Sequence, residues 1–148
     1  MDFYYYSGIY RDVHMVITDK VYITDELQED IVAGGGQFIT SPEVSPEFAR
    51  THVSTHIRNL SDKGMYLQVV SRLIDSNGKT VSENKTQSKL NRESATTVEQ
   101  DLPLAHPALW HPYSPNLYTL QTQLISQGKI LDERQQQIGI RHIRYTAK

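Results

Sequence analysis

Paired carboxylates, closely spaced histidines and a triple glycine are the features of this 148-residue sequence whose residue types could carry chemistry. Two carboxyl groups about 5 to 5.5 Å apart can divide a displacement between an acid and a nucleophile. Asp132 and Glu133 fail that requirement, because chain neighbours on a strand point to opposite faces. Glu26, Glu29 and Asp30 lie in the polar run DELQED, with no apolar shell to raise a pKa. All of these read as solvated surface, and no catalytic residue is assigned. His52 and His56 have the spacing of a metal pair on a helix. On a strand, four residues span roughly 13 Å, too far for one zinc ion with bonds near 2 Å.

The remaining chemical signals are equally plain. His106 and His111 flank Trp110, where they can hydrogen-bond the backbone of a corner or touch a neighbouring domain, and other ligand types are scarce nearby. His14 and His142 have no obvious partners in the sequence. Gly34, Gly35 and Gly36 lack the Lys-Ser/Thr and the following helix of a phosphate-binding loop, so a flexible loop is expected there. Nothing resembles a G-x-S-x-G nucleophile elbow. No cofactor and no metal are expected. Asn59-Leu60-Ser61 and Asn84-Lys85-Thr86 fit the N-glycosylation acceptor pattern, a frequent chance match.

Aromatic residues allow a sugar-stacking platform, drawn from Phe3, Tyr4, Tyr5, Tyr6 and Tyr10 together with Trp110, Tyr113 and Tyr118. Packing accounts for the same rings: the first group against another domain, Trp110 as a plug for the end of a sandwich. An exposed N-terminal apolar patch would also favour self-association.

Composition bounds the rest. The length suits one domain with a core of its own. With no cysteine, neither a disulfide framework nor a thiolate metal site can form. A formal charge of -2 without a Lys/Arg cluster lacks the cationic surface that phosphate backbones require, so nucleic acid is not an expected partner. No apolar run approaches the roughly 20 residues that span a bilayer, so no membrane partner is expected. MDFYYYSG lacks the charged-then-apolar order of a signal peptide, and a soluble chain is expected.

The elements that would position any site are strands. Val13 to Ile23 is β-branched and aromatic, a first strand bent near Asp19-Lys20. Ala49 to Asn59 alternates, with Ala49, Thr51, Val53, Thr55 and Ile57 on one face and Arg50, His52, Ser54, His56 and Arg58 on the other. Met65 to Asp75 is another strand, and Asn77-Gly78 predicts a type I′ hairpin returning through Lys79 to Glu83. Ser82 to Ser94 reads as exposed, polar chain. Thr96 to Leu104 leads into a corner stiffened by Pro107, Pro112 and Pro115, which forbid a helix. Tyr118 to Ser126 follows, then a turn at Gln127-Gly128 and a last strand from about Ile130 to Ile143. The polar middle of that strand, Gln135 to Gln137, predicts an edge or an interface. The expectation is all-β: an immunoglobulin-like β-sandwich of about seven antiparallel strands.

Four ordered segments carry a family resemblance. Leu109, Trp110, Pro112, Pro115, Leu117 and Tyr118 resemble the P-x-LW-x-P-x-x-P-x-LY-x-L signature of the middle, immunoglobulin-like domain of family 2 glycoside hydrolases, the β-galactosidase and β-glucuronidase group. Ser7 to Val13 is similar to the segment that hands over from that family's sugar-binding jelly roll. Ile138-Gly139-Ile140-Arg141 is similar to the segment that hands over to its catalytic barrel, and Phe38 to Ser45 is the fourth match.

The resemblance implies residues 1–12 as the tail of a jelly roll, 13–143 as the sandwich, and 144–148 as the start of a linker to the barrel. It implies a parent that hydrolyses terminal β-galactosides or related β-glycosides. This chain would be a non-catalytic spacer in it, with the jelly roll and barrel as partners. The catalytic glutamates of the family lie in the barrel, so no position here inherits them. Arg11, Trp110 and Arg141 are the interdomain candidates. A free-standing carbohydrate-binding module and an adhesion-type immunoglobulin-like domain are the alternatives.

Overall fold

A computed structural model describes residues 8, 9, 11–29, 31 and 34–143. Strict alternation organises it around β3 (Phe48–Asn59), where every second residue from Ala49 to Asn59 is buried. β6 (Ser94–Ala105) pairs along the whole of one edge of β3. The opposite edge is shared end to end by β1 (Val21–Ile23) and β2 (Gln37–Val44). The facing sheet has the order β10-β9-β4-β5, built from β4 (Met65–Ile74), β5 (Thr80–Leu90), β9 (Tyr118–Ser126) and β10 (Lys129–Ile138). All pairings are antiparallel. A small hairpin, β7 (Trp110–His111) with β8 (Ser114–Pro115), caps one end. The fold is therefore the all-β, immunoglobulin-like sandwich expected from the sequence, with eight sheet strands among the described residues.

Several local expectations are corrected. Val13–Ile17 joins no strand of the sandwich, and the first strand is only Val21–Ile23. β2 breaks the alternation with Pro42, which has no donor to give a ladder; the register accordingly shifts between Thr40 and Glu43. Ser82 to Leu90 is strand, not exposed chain. Its inward positions are Ser82, Asn84, Thr86 and Ser88, polar residues that hide the apolar/polar contrast on which periodicity depends.

The Asn77-Gly78 turn is not type I′, since only Gly78 has positive φ there. Asp75 closes a three-residue loop instead: its Oδ1 accepts from the N–H groups of Asn77 and Lys79, each at 2.9 Å. Positive φ at two successive residues occurs at Gln127 and Gly128, between the paired Ser126 and Lys129.

The triple glycine is packed rather than loose. Gly35 and Gly36 are buried with φ of +76° and +56°, against a single helical turn, α1 (Glu26–Glu29), that the sequence reading missed. Asp25 caps that turn by accepting from the N–H groups of Leu27 and Gln28.

The core has two apolar halves. One holds Val21, Ile57, Leu67, Val69, Leu90 and Leu124; the other holds Val53, Leu73, Leu102, Tyr118, Leu120 and Ile140. Between them a polar row crosses both sheets. Gln37 Nε2 donates to Thr122 Oγ1 at 2.8 Å and to Thr55 Oγ1 at 3.2 Å, while Ser71 Oγ donates to Gln100 Oε1 at 2.7 Å. Gln100 Nε2 donates to the carbonyls of Val69 and Asn84 and to Thr86 Oγ1. Pairing of this kind offsets the cost of burying polar groups. The same contacts join β6 to β5 along one margin of the sandwich. At the other margin the Ile23 N–H donates to Asp132 Oδ2 at 2.8 Å, joining β1 to β10.

Candidate functional site

The proline corner builds the best-defined site. Pro107 is buried, and the next N–H, that of Ala108, donates to the hydroxyl of the buried Tyr118 at 2.8 Å. The chain then enters the β7–β8 hairpin, where Asn116 Nδ2 donates to the Leu109 carbonyl at 3.0 Å. Trp110 N–H donates to Ile140 O at 2.8 Å, which ties the corner to the chain leaving β10.

On that leaving chain Gly139 lies directly against the indole, Ile140 is fully buried, and the Arg141 guanidinium sits over the ring 4.9 Å from its centroid. This is a cation–π contact. Trp110 is half-buried while Arg141 is exposed, so the ring is covered and the cation is presented outward. Tyr113 projects from the hairpin tip, 94% exposed, with its ring 5.4 Å from that of His111.

Two of the three interdomain candidates, Trp110 and Arg141, are thus brought together. Arg11 is not with them: it lies on the exposed segment that precedes β1. The chain enters the sandwich beside Leu60, at the Asn59 end of β3, and leaves at the Phe48 end, where Tyr118 pairs with Ile138. Entry and exit are therefore separated by the length of β3, twelve residues or about 40 Å at 3.3 Å per residue.

The other candidates resolve into structural roles. Asp132 and Glu133 do point apart: Asp132 accepts from Ile23, while Glu133 accepts from Gln121, Gln123 and Gln135 on the outer face. The amides of Gln123 and then Gln135 hold the Glu133 carboxyl below its ordinary pKa. Glu29 is not solvated, since its side chain is 7% exposed and ion-paired with Arg58. Glu26 accepts from Gln37 N–H and from Arg134 Nη1. His56 hydrogen-bonds Thr24 Oγ1 through Nδ1 at 2.8 Å, and the His106 N–H donates to Glu47 O. Asn59 of the first glycosylation pattern is fully buried, its amide donating to the carbonyls of Lys63 and Asn91. Asp30, Phe3, Tyr4, Tyr5, Tyr6 and Tyr10 lie outside the described residues.

One carboxylate pair escaped sequence reasoning. Glu99 and Asp101 share a face of β6 and hold His52 between them, Nε2 3.0 Å from Glu99 and Nδ1 2.8 Å from Asp101. In the imidazolium form both ring nitrogens donate, one to each carboxylate; the neutral ring can donate to only one of them. The hydrogen bond to Asp101 chiefly raises the His52 pKa above 6.5, against partial desolvation. The signal was present as matching parity at 99 and 101, but the partner strand had to be known first. Among the described residues, no group of three His, Asp or Glu side chains is arranged to hold a metal ion.

The chain belongs to glycosyl hydrolases family 2, whose family model matches residues 36–141. It is 28% identical over 134 residues to β-galactosidase BoGH2A of Bacteroides ovatus, covering 90% of this chain and 15% of that protein. A putative β-glucuronidase of Formosa agariphila is 31% identical over 140 residues, with coverages of 95% and 15%. A crystal structure of a family 2 member from Bacteroides cellulosilyticus superposes with a TM-score of 0.78 at 26% identity, covering 86% of this chain and 16% of that one. The chain spans 12% to 20% of the length of the curated relatives it matches.

Proposed function

We propose that this chain is the non-catalytic middle domain of a family 2 β-glycosidase and sets the orientation of the domains on either side of it. The observation that carries this reading is the placement of entry and exit at opposite ends of one rigid sandwich. The exit is fixed by Trp110, Gly139 and Ile140 rather than left as a free linker. A flexible tether would let neighbouring domains tumble, whereas a packed exit transmits one direction. Arg141, held over Trp110, offers its guanidinium to an acceptor on the domain that follows. Arg11, ten residues before β1 on the exposed preceding segment, is the candidate on the entry side.

The whole enzyme would hydrolyse a terminal β-linked sugar. The relatives' names divide between β-galactosidase and β-glucuronidase, so they support a β-glycosidase without favouring the galactoside. The 148-residue chain incubated with chromogenic β-galactoside and β-glucuronide is expected to give background rates. Turnover that survives repurification would overturn the assignment, as would a full reading frame encoding no catalytic barrel.

A further inference from the structure

Of the five asparagines in the chain, only Asn77 is followed by glycine. An asparagine carboxamide can be attacked by the backbone nitrogen of the next residue. A side chain on that residue hinders the approach, and glycine has none. The fold sorts the asparagines further. Asn59, Asn84 and Asn116 donate their side-chain amides to backbone carbonyls: those of Lys63 and Asn91, of Asp101, and of Leu109. The carboxamides of Asn77 and Asn91 have no hydrogen-bond partner among the described residues. Arg92 follows Asn91, so Asn77 alone combines an uncommitted carboxamide with an unhindered neighbour.

The loop that carries it is open to solvent. Residues 76–80 are exposed, and a Cβ placed on Gly78 would meet no atom within 4 Å. A groove of about 560 Å³, lined in part by Asp75, Gly78, Asn116 and Tyr118, separates the loop from the proline corner. Asp75 holds the loop together: its Oδ1 accepts from the N–H groups of Asn77 and Lys79, and its carbonyl accepts from Gly78 N–H at 3.0 Å. That last bond engages the proton which the attacking nitrogen must lose. The folded loop is therefore held short of reaction and reacts through local opening.

We propose that Asn77-Gly78 is a self-modifying site, at which the folded chain converts Asn77 into a mixture of aspartate and isoaspartate. Hydroxide removes the Gly78 amide proton, and the nitrogen bonds to Cγ of Asn77. The carboxamide nitrogen takes a proton from water and leaves as ammonia, so that a cyclic imide joins the two residues. Water then opens the ring at either carbonyl. Opening at Cγ gives aspartate; opening at the backbone carbonyl gives isoaspartate, with the main chain rerouted through the former side chain. The net change is one water consumed and one ammonia released, with no oxidation or reduction.

Either product adds a negative charge to a loop that already carries Asp75. Isoaspartate also inserts a methylene into the main chain between the two residues whose N–H groups Asp75 engages, so the loop cannot keep all of those bonds. Ile74 pairs with Thr119, and Tyr118 with Ile138. The change therefore falls at the end of the sandwich that carries Trp110 and Arg141.

Peptide mass spectrometry on the 148-residue chain, kept folded in mildly alkaline buffer and sampled over time, tests this. The peptide containing Asn77 is expected to gain about 1 Da, the difference between a carboxamide and an acid, and to split into two chromatographic species of equal mass. The peptide containing Asn91 should stay unchanged. N77A is expected to abolish the gain, and G78A to slow it at least about tenfold by restoring a side chain beside the attacking nitrogen. D75A, which removes the carboxylate that closes the loop, should speed it about threefold or more. Gain in urea but none in the folded chain overturns the proposal, since the native loop would then be closed to the reaction. So does equal gain at Asn91, a single product at Asn77, or slower gain in D75A.

Discussion

A methyl group on Gly139 would stand 2.8 Å from Cδ1 of Trp110 and 2.9 Å from its Cγ. The backbone there can approach the indole only because no side chain intervenes. G139A is expected to displace the ring and destabilise the domain by about 1 to 3 kcal/mol, the usual range for overpacking. Because the chain has a single tryptophan, its emission reports the displacement directly and should shift to the red. Unchanged emission and unchanged melting would refute the packing. R141A, which removes only the cation from an exposed face, is expected to lose no more than about 0.5 to 1 kcal/mol.

The polar row through the core gives a second test. Q100L removes the acceptor of Ser71 and the donor to Val69 O, Asn84 O and Thr86, leaving buried groups unpaired. It should cost about 1 to 3 kcal/mol even though leucine is more hydrophobic. Thr51 is the control: its buried Oγ1 has no partner among the described residues, so T51V should be neutral or stabilising. Urea midpoints for the two variants would have to move in the same direction to contradict this account.

His52 sets a pH dependence of defined sign. Its pKa is raised in the folded state by Asp101 first and then, with smaller effect, by Glu99. Its contribution to stability is therefore complete below the unfolded value near 6.5 and fades as pH rises through the folded value. Arg50 stands on the same face, 3.7 Å from both Asp101 and Glu43. NMR titration should place the His52 midpoint above 6.5, and D101N should lower it. A midpoint insensitive to D101N would mean the clamp does not form. Glu83 works oppositely: Lys85 and then Arg72 lower its pKa, so its contribution is present above 4.5 and is lost as pH falls through the folded value.

Gly36 should tolerate no side chain. Its φ of +56° disfavours any L residue, and an added Cβ would collide with the Glu26 carboxylate. G36A is expected to lose about 1 to 3 kcal/mol. Combining it with E26A removes the collision but not the backbone strain, so the pair should show positive coupling in a double-mutant cycle. Strictly additive losses would show that Glu26 does not occupy that space.

Legibility in the sequence followed contrast. β3 was readable from Ala49 to Asn59 because its two faces differ in polarity. β5 was readable only at its start, as the return strand through Glu83; further on, the inward Asn84 and Thr86 pair with Gln100 of the polar row and so resemble the outward residues. The triple glycine signalled conformational freedom but not that the freedom is used to pack under α1. The Trp110–Arg141 contact joins residues named separately as candidates; only the β10 pairing with β9 brings their segments together. The Glu99–His52–Asp101 clamp depends on the β3–β6 register, which no local pattern discloses.

The row from Gln37 through Thr122 and Ser71 to Gln100 also works as an alignment key. Greasy surfaces alone would allow one sheet to slide over the other by a residue pair with little penalty. Here such a slide would strand every amide and hydroxyl in the row away from its mate. The angle and offset of the two layers are thereby locked.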